Sequence, residues 1–257
     1  MKILALNGSP RGRRSNTDRL LLPFLEGARE GGAEIVGFYL EEQDIQPCKG
    51  CFTCWLRTPG RCVQDDDMRS VLPEMLEADA IIWAFPLYCF GVPARMQAVQ
   101  ERMLPLVMPH FVSVGDAHGH PPRYPGKKRK YVVLSNCGLP EKEHFDAVVR
   151  KFTQLARAAG DAELIEPIVM AAGELLPYME KNASMQQVLA AIQDEFRSAG
   201  RELAESGTLA RATVERLSRP LTERVGISAK AYARAANAYF ESELGKGASE
   251  RENPADS

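Results

Sequence analysis

Short apolar runs alternate along the chain with stretches whose apolar residues repeat at helical spacing. The runs have the length of strands and contain few polar residues, which is typical of strands buried on both faces. Strands that alternate with helices predict an α/β fold with a doubly wound, five-stranded parallel sheet. The predicted strands are Lys2 to Leu6, Ala33 to Tyr39, Ala80 to Phe85, Lys130 to Ser135 and Glu163 to Val169.

Two of the intervening helices have clear sequence signals. Apolar residues repeat at helical spacing from Met68 to Leu76, behind an acidic run at 65–67 that suits a helix N-terminus. A second repeat runs from Phe145 to Leu155 and is followed by Gly160, a residue type that often ends helices. By contrast, the Gly- and Pro-rich stretch at about 111–129 predicts a long loop, which we interpret as a lid or an interface.

The chain after the fifth predicted strand shows only helical repeats, for example from Met185 to Phe196. We therefore divide the chain into three parts. Residues 1–170 form the predicted sheet domain, and residues 171–245 form a helical C-terminal appendage that packs on this domain or on a second subunit. The remaining residues, 246–257, are predicted to be a disordered tail.

Composition and charge narrow the classes of partner. The chain has 257 residues, of which 45% are hydrophobic, and a formal net charge of only −2, so nothing favours nucleic acid or an anionic membrane. No apolar stretch approaches the length of a spanning helix, and the N-terminus reaches a turn too early for a signal peptide. We expect a cytoplasmic protein with a small partner. In that reducing compartment, the six cysteines are not expected to form structural disulfides.

The first predicted strand leads through a polar loop, Asn7 to Thr17, into a helix. This arrangement places N–H groups and hydroxyls around an anion at the positive end of the helix dipole. The loop has neither the Lys-Ser/Thr ending of a P-loop nor the G-x-G-x-x-G of dinucleotide folds, so we predict a monophosphate site. An ordinary turn capped by Asn16 is the alternative. The predicted phosphate ligands are Ser9, Arg11, Ser15, Asn16 and Thr17.

The third predicted strand ends in a segment of proline, glycine and aromatic residues, Pro86 to Ala94. Ligands of open α/β sheets bind at this end of the strands, and a rigid backbone with flat side chains suits a planar ring. A proline-rich turn with buried aromatics is the alternative. The loop after the fourth strand, with Asn136 and Gly138, would close the other side of the ring. The predicted ring contacts in the third-strand segment are Pro86, Leu87, Tyr88, Phe90 and Gly91.

Two of these segments resemble those of one known family. G-S-P-R followed by S-N-T, and P-L-Y-C-F-G-V-P-A after the third strand, are similar to the FMN-phosphate and isoalloxazine loops of the NADPH-dependent FMN reductase family. The resemblance covers about residues 1–170. It implies a flavodoxin-like fold, FMN as the cofactor, hydride transfer from NAD(P)H, and a homodimer or homotetramer.

Four of the six cysteines form the pattern C-x2-C-x2-C-x7-C: Cys48, Cys51, Cys54 and Cys62. Thiolates at this spacing can ligate one iron-sulfur cubane, whereas structural zinc usually takes two well-separated cysteine pairs. The pattern is similar to the iron-sulfur flavoprotein branch of the same superfamily, in which it holds a [4Fe-4S] cluster near FMN, although the last gap here is at the long end of that branch's range. Free thiols are the alternative. Cys89 and Cys137 are predicted to be small packing residues.

The resemblance implies an FMN-dependent NAD(P)H oxidoreductase that passes electrons through FMN to a small acceptor, a redox protein or an iron-sulfur cluster. Because the flavin carries this chemistry, we predict no catalytic side chain. One alternative is an FMN/[4Fe-4S] electron-transfer protein without its own nicotinamide chemistry. Another is a zinc-stabilised interaction module. In each case we expect no nucleic-acid or membrane partner.

Overall fold

The computed structural model describes residues 1–252, and within them the main sheet is fully parallel. Its spatial order is β2-β1-β3-β6-β7, with β8 also paired to β6. This is the order of a doubly wound flavodoxin-like sheet, so the predicted fold class is confirmed. The strands of this sheet are β1 (Lys2–Asn7), β2 (Glu34–Tyr39), β3 (Ala80–Pro86), β6 (Arg129–Asn136), β7 (Ala162–Leu164) and β8 (Ile168–Met170).

The fifth predicted strand is split in the structure. Residues 163–169 were expected to form one strand, but β7 ends at Leu164 and β8 begins at Ile168, and both pair with β6. Pro167 lies in the gap and has no N–H group to donate to a neighbouring strand. The missing donor explains why one continuous ladder does not form.

The predicted loop at 111–129 contains a short hairpin. Its strands are β4 (Val112–Val114) and β5 (Ala117–Gly119), which pair antiparallel. Gly115, in the turn between them, has a left-handed φ of 58°, a conformation that glycine adopts at little cost. The expectation of a stretch without regular structure was therefore wrong at this hairpin.

Helices cover both faces of the sheet, and the two predicted from periodicity are confirmed. The repeat from Met68 lies in α3. The repeat that ends before Gly160 lies in α5, and Gly160, the residue after this helix, has a left-handed φ of 70°. The helices are α1 (Asn16–Glu30), α2 (Thr53–Leu56), α3 (Met68–Glu77), α4 (Ala94–Glu101), α5 (Asp146–Ala159), α6 (Leu175–Lys181), α7 (Gln186–Ser206), α8 (Arg211–Leu217), α9 (Leu221–Arg224) and α10 (Ala229–Glu252).

Two hydrophobic clusters lie on opposite faces of the sheet. Alternate residues of β1 enter different clusters: Ile3 joins the cluster that contains α1 and α7 residues, and Leu4 joins the cluster with α3 and α5 residues. This alternation follows from the two-residue repeat of a strand. Both faces are buried, which explains why the strand sequences are apolar without interruption.

The helical appendage shares a core with the sheet domain. Helix α7 packs directly on α1, and Phe196 and Leu203 belong to the same cluster as Ile3. A Cβ added to Gly27 would lie 1.7 Å from the Arg197 carbonyl oxygen, so the two helix backbones approach too closely for any side chain there. Residues on both sides of the predicted boundary at residue 170 therefore pack into one hydrophobic core.

The last described helix continues into the predicted tail. Helix α10 extends to Glu252, beyond residue 246, where we expected disorder to begin. The rest of that prediction, residues 253–257, lies outside the described part of the chain. None of the helices within residues 1–252 is long and apolar enough to span a membrane.

Candidate functional site

The three predicted ligand loops lie side by side at the carboxyl edge of the sheet. The Gly8 N–H donates to the Ala84 carbonyl oxygen at 2.8 Å, at the end of β3. The Leu87 N–H donates to the Asn136 carbonyl oxygen at 2.8 Å, at the end of β6. The loops after β1, β3 and β6 therefore lie next to one another, as the strand-end pattern predicted.

A buried side-chain bond ties the first of these loops to the third. Asn136 Nδ2 donates to Thr17 Oγ1 at 2.9 Å, and both side chains are almost completely buried. These two residues are 119 positions apart, and both are among the predicted ligands. The bond fixes the distance between the start of α1 and the end of β6.

Ser15 caps α1 and has little hydrogen-bonding capacity left for a ligand. Its Oγ accepts from the Asp18 N–H at 3.0 Å and donates to the Gly12 carbonyl oxygen at 2.6 Å. The cap is therefore Ser15, and not Asn16 as our alternative interpretation had it. Asn16 is the first residue of the helix. The N–H groups of Asn16 and Thr17 lie in the first turn, where a helix has no internal acceptor for them.

A buried network beneath this loop escaped the sequence analysis. Asp18 Oδ1 accepts from Asn7 Nδ2 at 3.0 Å and from the Tyr39 hydroxyl at 2.8 Å. Burial raises the pKa of Asp18, and burial together with the bond to Asp18 raises the pKa of Tyr39 to about 12. The S-x-x-D spacing of Ser15 and Asp18 is a capping signal that would have pointed to Asp18.

The predicted anion-binding arginine has a protein partner in the structure. Arg11 Nη2 lies 3.1 Å from Glu174 Oε1, and both side chains are more than half exposed. Ser9, in contrast, is buried, and its Oγ accepts from the Arg11 N–H at 3.3 Å. The guanidinium of Arg13, which we did not predict, lies over the Tyr39 ring with 4.0 Å between Cζ and the ring centroid.

The second loop is a tight turn that exposes its aromatic rings. Tyr88 and Gly91 exchange backbone hydrogen bonds of 3.1 and 2.8 Å, and Cys89 and Phe90 between them have left-handed φ values of 47° and 59°. Tyr88 is 44% exposed and Phe90 is 56% exposed, so the alternative interpretation as a turn with buried aromatics is wrong. Cys89 is exposed as well and is not a packing residue, because the turn points it away from the core.

The third loop is held by residues from the C-terminal appendage. The Tyr232 hydroxyl of α10 donates to the Gly138 carbonyl oxygen at 2.7 Å, and the Gly173 N–H donates to the Cys137 carbonyl oxygen at 2.7 Å. Cys137 is buried, as predicted. Burial raises the pKa of Tyr232 to about 12. No local sequence signal marks Tyr232, because its partner is 94 positions away.

The four clustered cysteines lie on one segment, residues 47–64, which we call the cysteine segment. It follows the carboxyl end of β2 and is turned by left-handed residues, Gly50 at φ 63° and Phe52 at φ 51°. Cys51 is exposed and Cys54 is buried. Burial and then the three other thiols raise the pKa of Cys54.

The two ends of the cysteine segment are bonded together in what we call the neck, residues 44–46 and 66–67. The Asp44 N–H donates to Asp67 Oδ2 at 2.7 Å, and the Asp67 N–H donates to the Asp44 carbonyl oxygen at 3.0 Å. The Gln46 N–H donates to Asp66 Oδ2 at 3.1 Å. The segment therefore extends from a closed base rather than from a flexible loop.

Comparison with known proteins agrees with this arrangement of loops. Residues 1–118 match the model of the NADPH-dependent FMN reductase family. The resemblance found in the sequence is confirmed for these residues. The matched part contains the loops after β1 and β3 and the whole cysteine segment.

Curated relatives match about half of the chain. The chain is 34% identical over 143 residues to an iron-sulfur flavoprotein of Archaeoglobus fulgidus, covering 55% of this chain and 58% of that protein. It is 36% identical over 111 residues to an iron-sulfur flavoprotein of Methanosarcina thermophila, covering 43% of this chain and 56% of that protein. The chain thus spans little more than half the length of these relatives.

Solved structures resemble about four fifths of the chain. An NAD(P)H:quinone oxidoreductase from Methanothermobacter marburgensis superposes with a TM-score of 0.55 and 17% identity, over 79% of this chain and 96% of that one. An FMN-dependent NADH-azoreductase from Bacillus anthracis, solved in complex with FMN, gives a TM-score of 0.55 and 15% identity, over 79% and 99% of the two chains. At these identities the likeness establishes the flavodoxin-like fold.

Four cysteine thiols on one segment are the donor set that a [4Fe-4S] cluster takes. Within residues 1–252, no group of three His, Cys, Asp or Glu side chains is arranged to hold one metal ion. The Gly50 N–H also donates to Cys48 Sγ at 3.4 Å.

Proposed function

We propose that the protein is an FMN-dependent NAD(P)H oxidoreductase that passes electrons from reduced nicotinamide through FMN to a small acceptor or an iron-sulfur cluster. The observation that carries this proposal is the convergence of three loops on one crevice, tied by the bond between Asn136 and Thr17. The match of residues 1–118 to the FMN reductase family supports it.

The phosphate of FMN would be held at the start of α1. The N–H groups of Asn16 and Thr17 are free of helical acceptors, and the dipole of a fifteen-residue helix adds its positive end. Ser9 contributes a buried hydroxyl beside them, and Arg11 adds positive charge at the rim. Ser15 acts indirectly, because its hydroxyl orders the turn that presents these groups.

The flavin ring would lie against the loop after β3. Tyr88 and Phe90 present exposed aromatic faces on a turn whose backbone is fixed by Pro86 and Gly91. Asn136 and Gly138 would border the opposite side. These residues would hold FMN, which would supply the hydride and electron-transfer chemistry between the nicotinamide and the acceptor. The protein's part is to position the two rings and exclude water, and we assign no side chain as an acid or base.

Cys48, Cys51, Cys54 and Cys62 are the proposed ligands of a [4Fe-4S] cluster. The segment that carries them leaves β2 at the same edge of the sheet as the FMN loops. A cluster there would be a one-electron acceptor for the flavin. The names of the archaeal relatives support this assignment.

An absorption spectrum after anaerobic purification, followed by NADH and NADPH oxidation assays, tests the proposal. We expect flavin bands with a broad shoulder that dithionite bleaches, and oxidation of at least one nicotinamide. A flavin-free protein to which added FMN does not bind would contradict the proposal. Flavin bands without the shoulder, and without iron by metal analysis, would remove the cluster alone.

A second candidate is an FMN/[4Fe-4S] electron-transfer protein without nicotinamide chemistry. The cysteine segment favours it, because a cluster would allow electrons to enter from a protein donor. Reduction by a low-potential redox protein, with NADH and NADPH both left unoxidised, would select this candidate. A colourless protein with stoichiometric zinc would instead indicate an interaction module.

We also propose that the protein is a cytoplasmic homodimer or homotetramer whose partners are a small electron acceptor or a redox protein, with no nucleic-acid or membrane partner. Light scattering after size-exclusion chromatography measures the subunit number directly. A monomer at micromolar concentration would contradict the oligomer prediction.

A further inference from the structure

A second pocket lies at the opposite end of the strands from the proposed FMN loops. It is bordered by Ile81, near the start of β3, and by Tyr131, near the start of β6. The proposed flavin loop begins at Pro86, at the other end of β3, which is roughly 16 Å from Ile81 along a strand that rises about 3.3 Å per residue. This pocket is therefore separate from the crevice that we assign to FMN.

The pocket is large enough for one aromatic ring. Its volume is about 190 Å³. A cavity of about 150 Å³ lined by apolar side chains suffices to bind benzene. Most of the lining side chains here are apolar as well, among them Met75, Leu76, Ile81, Met103, Leu106 and Leu155. The ring of a ligand would therefore find an apolar environment.

Backbone and side-chain bonds fix the outer wall of the pocket. Leu106 and Tyr124 belong to this wall, and Tyr124 comes from the loop that the sequence predicted as a lid or an interface. The Met108 N–H donates to the Pro121 carbonyl oxygen at 2.8 Å, and the Arg123 N–H donates to the Leu106 carbonyl oxygen at 2.8 Å. The wall is thus in place before a ligand binds.

The charges that border the pocket are paired with each other. Arg129 and Asp161 both line it, and the Arg129 Nη1 donates to Asp161 Oδ2. Arg129 also donates from Nε to the Met75 carbonyl oxygen at 2.8 Å and from Nη2 to the Leu76 carbonyl oxygen at 3.1 Å. Burial raises the pKa of Asp161 in spite of Arg129, so the surroundings do not favour a further negative charge. An uncharged ligand suits this environment.

The side chain of Gln100, on α4, lines the pocket without a partner. Gln100 is only 9% exposed, and within residues 1–252 neither its Nε2 nor its Oε1 has a hydrogen-bond partner. Buried polar groups are nearly always hydrogen-bonded, so an amide with both atoms unpaired requires an explanation. An amide presents a donor and an acceptor side by side, and a second amide complements it.

The geometry points to a second ligand site, in which this pocket binds a small, uncharged molecule that consists of one apolar ring and one amide group, and Gln100 pairs with that amide. The ring fills the apolar part of the pocket, and two hydrogen bonds satisfy Nε2 and Oε1 of Gln100. A mostly apolar pocket with a few polar groups that fix orientation is the usual form of a small-molecule site. The site does not depend on the proposed flavin chemistry.

The experiment is a titration of the full chain, with FMN added, followed by nuclear magnetic resonance of ¹³C-labelled methionine methyl groups. The probe is benzamide, and toluene is its control because it has the same ring without the amide. Met75 and Met103 line the pocket. Met96 reports on the first FMN loop, since its Cε lies 2.8 Å from where a Cβ on Gly8 would be.

We expect benzamide to shift the signals of Met75 and Met103 in a saturable way and to leave Met96 unchanged. Toluene should bind more weakly. A shift of Met96 alone would place benzamide in the flavin crevice and overturn the inference. The absence of a saturable shift at Met75 and Met103 would also overturn it, because water alone would then satisfy Gln100.

A matched pair of variants on α4 tests the role of the amide. Gln100→Leu should weaken benzamide binding by at least about tenfold, because two hydrogen bonds are lost, and should not weaken toluene binding. Gln97→Leu is the control, because Gln97 bonds to Glu101 and Lys151 instead of lining the pocket. Equal benzamide affinity in wild type and Gln100→Leu would overturn the inference.

A third variant tests the place of binding without changing the amide. Ala159 lines the pocket, so Ala159→Leu should fill part of it and abolish the binding of both probes. Unchanged benzamide affinity in this variant would overturn the inference. If Gln100→Leu does not fold, the comparison of benzamide with toluene in the wild type decides, and equal affinities would refute the role of Gln100.

Discussion

The loop after β1 and the cysteine segment both leave the carboxyl edge of the sheet, but they are stabilised in different ways. The loop after β1 is held mainly from within: Ser15 caps the helix that follows, and Asn7 and Asp18 bond beneath it. The cysteine segment is held at its neck, by Arg102 from a distant helix end, and by the bond from Trp55 Nε1 to the Leu104 carbonyl oxygen. Short-range bonds therefore have the larger part in the first loop, and long-range bonds in the second.

The largest expected effect tests whether the fold of the cysteine segment depends on the buried ion pair at its neck. Arg102→Met leaves Asp66 buried without a counter-charge, and breaking a buried pair in this way costs about 3–5 kcal/mol of unfolding free energy. Urea denaturation measures the loss. Arg11→Met is the matched control at the first loop, since its exposed pair with Glu174 is worth less than about 1 kcal/mol. Equal losses in the two variants would remove the distinction between the regions.

A second variant tests the link between the first and third loops. Asn136→Leu leaves the buried Thr17 hydroxyl without its donor, at an expected cost of about 1–3 kcal/mol in unfolding free energy. FMN affinity, measured by fluorescence, should fall as well because the crevice loses its spacing. A double-mutant cycle with Thr17→Val supplies the control. Strictly additive losses would mean that the two side chains do not interact.

A third, smaller effect concerns the internal support of the first loop. Ser15→Ala removes the cap of α1 and should lower the unfolding free energy by about 1 kcal/mol. Ser15→Asn, which retains a capping oxygen, should recover most of the loss. The thermal midpoint of each variant checks this. If Ser15→Ala and Ser15→Asn have the same thermal midpoint, the cap does not order the loop.

The smallest expected effect is a difference between the two regions in how their titrating side chains respond to pH. The folded-state pKa of Tyr39 is about 12, above its ordinary value near 10, so the neutral form is favoured by folding. Its contribution is fully present below about pH 10 and is lost as the pH rises toward about 12. The shift in the cysteine segment has the opposite direction, because a hydrogen bond with Thr53 lowers the pKa of the Cys51 thiol. The absorbance of tyrosinate, followed as the pH is raised, should show one late-titrating group in the wild type that is missing from Tyr39→Phe. Titration of that group at its ordinary pKa would contradict the prediction.

Much of the fold followed from simple periodicities. Apolar runs marked every strand of the sheet, and only the break at Pro167 was missed, because a run of apolar residues does not report which N–H groups must pair. The hairpin at 112–119 was missed because three-residue strands are too short to show a repeat.

The candidate site was predicted in part. Loops at strand ends were placed together correctly, since parallel strands must end at one edge. Individual roles were harder to predict. The Ser15 hydroxyl bonds to Gly12 and Asp18, the Thr17 hydroxyl bonds to Asn136, and Arg11 has a partner in Glu174. The last two pairings depend on residues that are distant in sequence.

By itself, the sequence determined the α/β architecture, the edge of the sheet at which the loops gather, and the grouping of four thiols on one segment. Each of these depends on patterns within a few residues of one another. Only the tertiary structure decided that Tyr232 reaches Gly138, that Asn136 reaches Thr17, and that Arg102 bonds to Asp66 and Gln46 in the neck. A buried polar group must find its partner wherever folding brings one, and no local pattern records that choice.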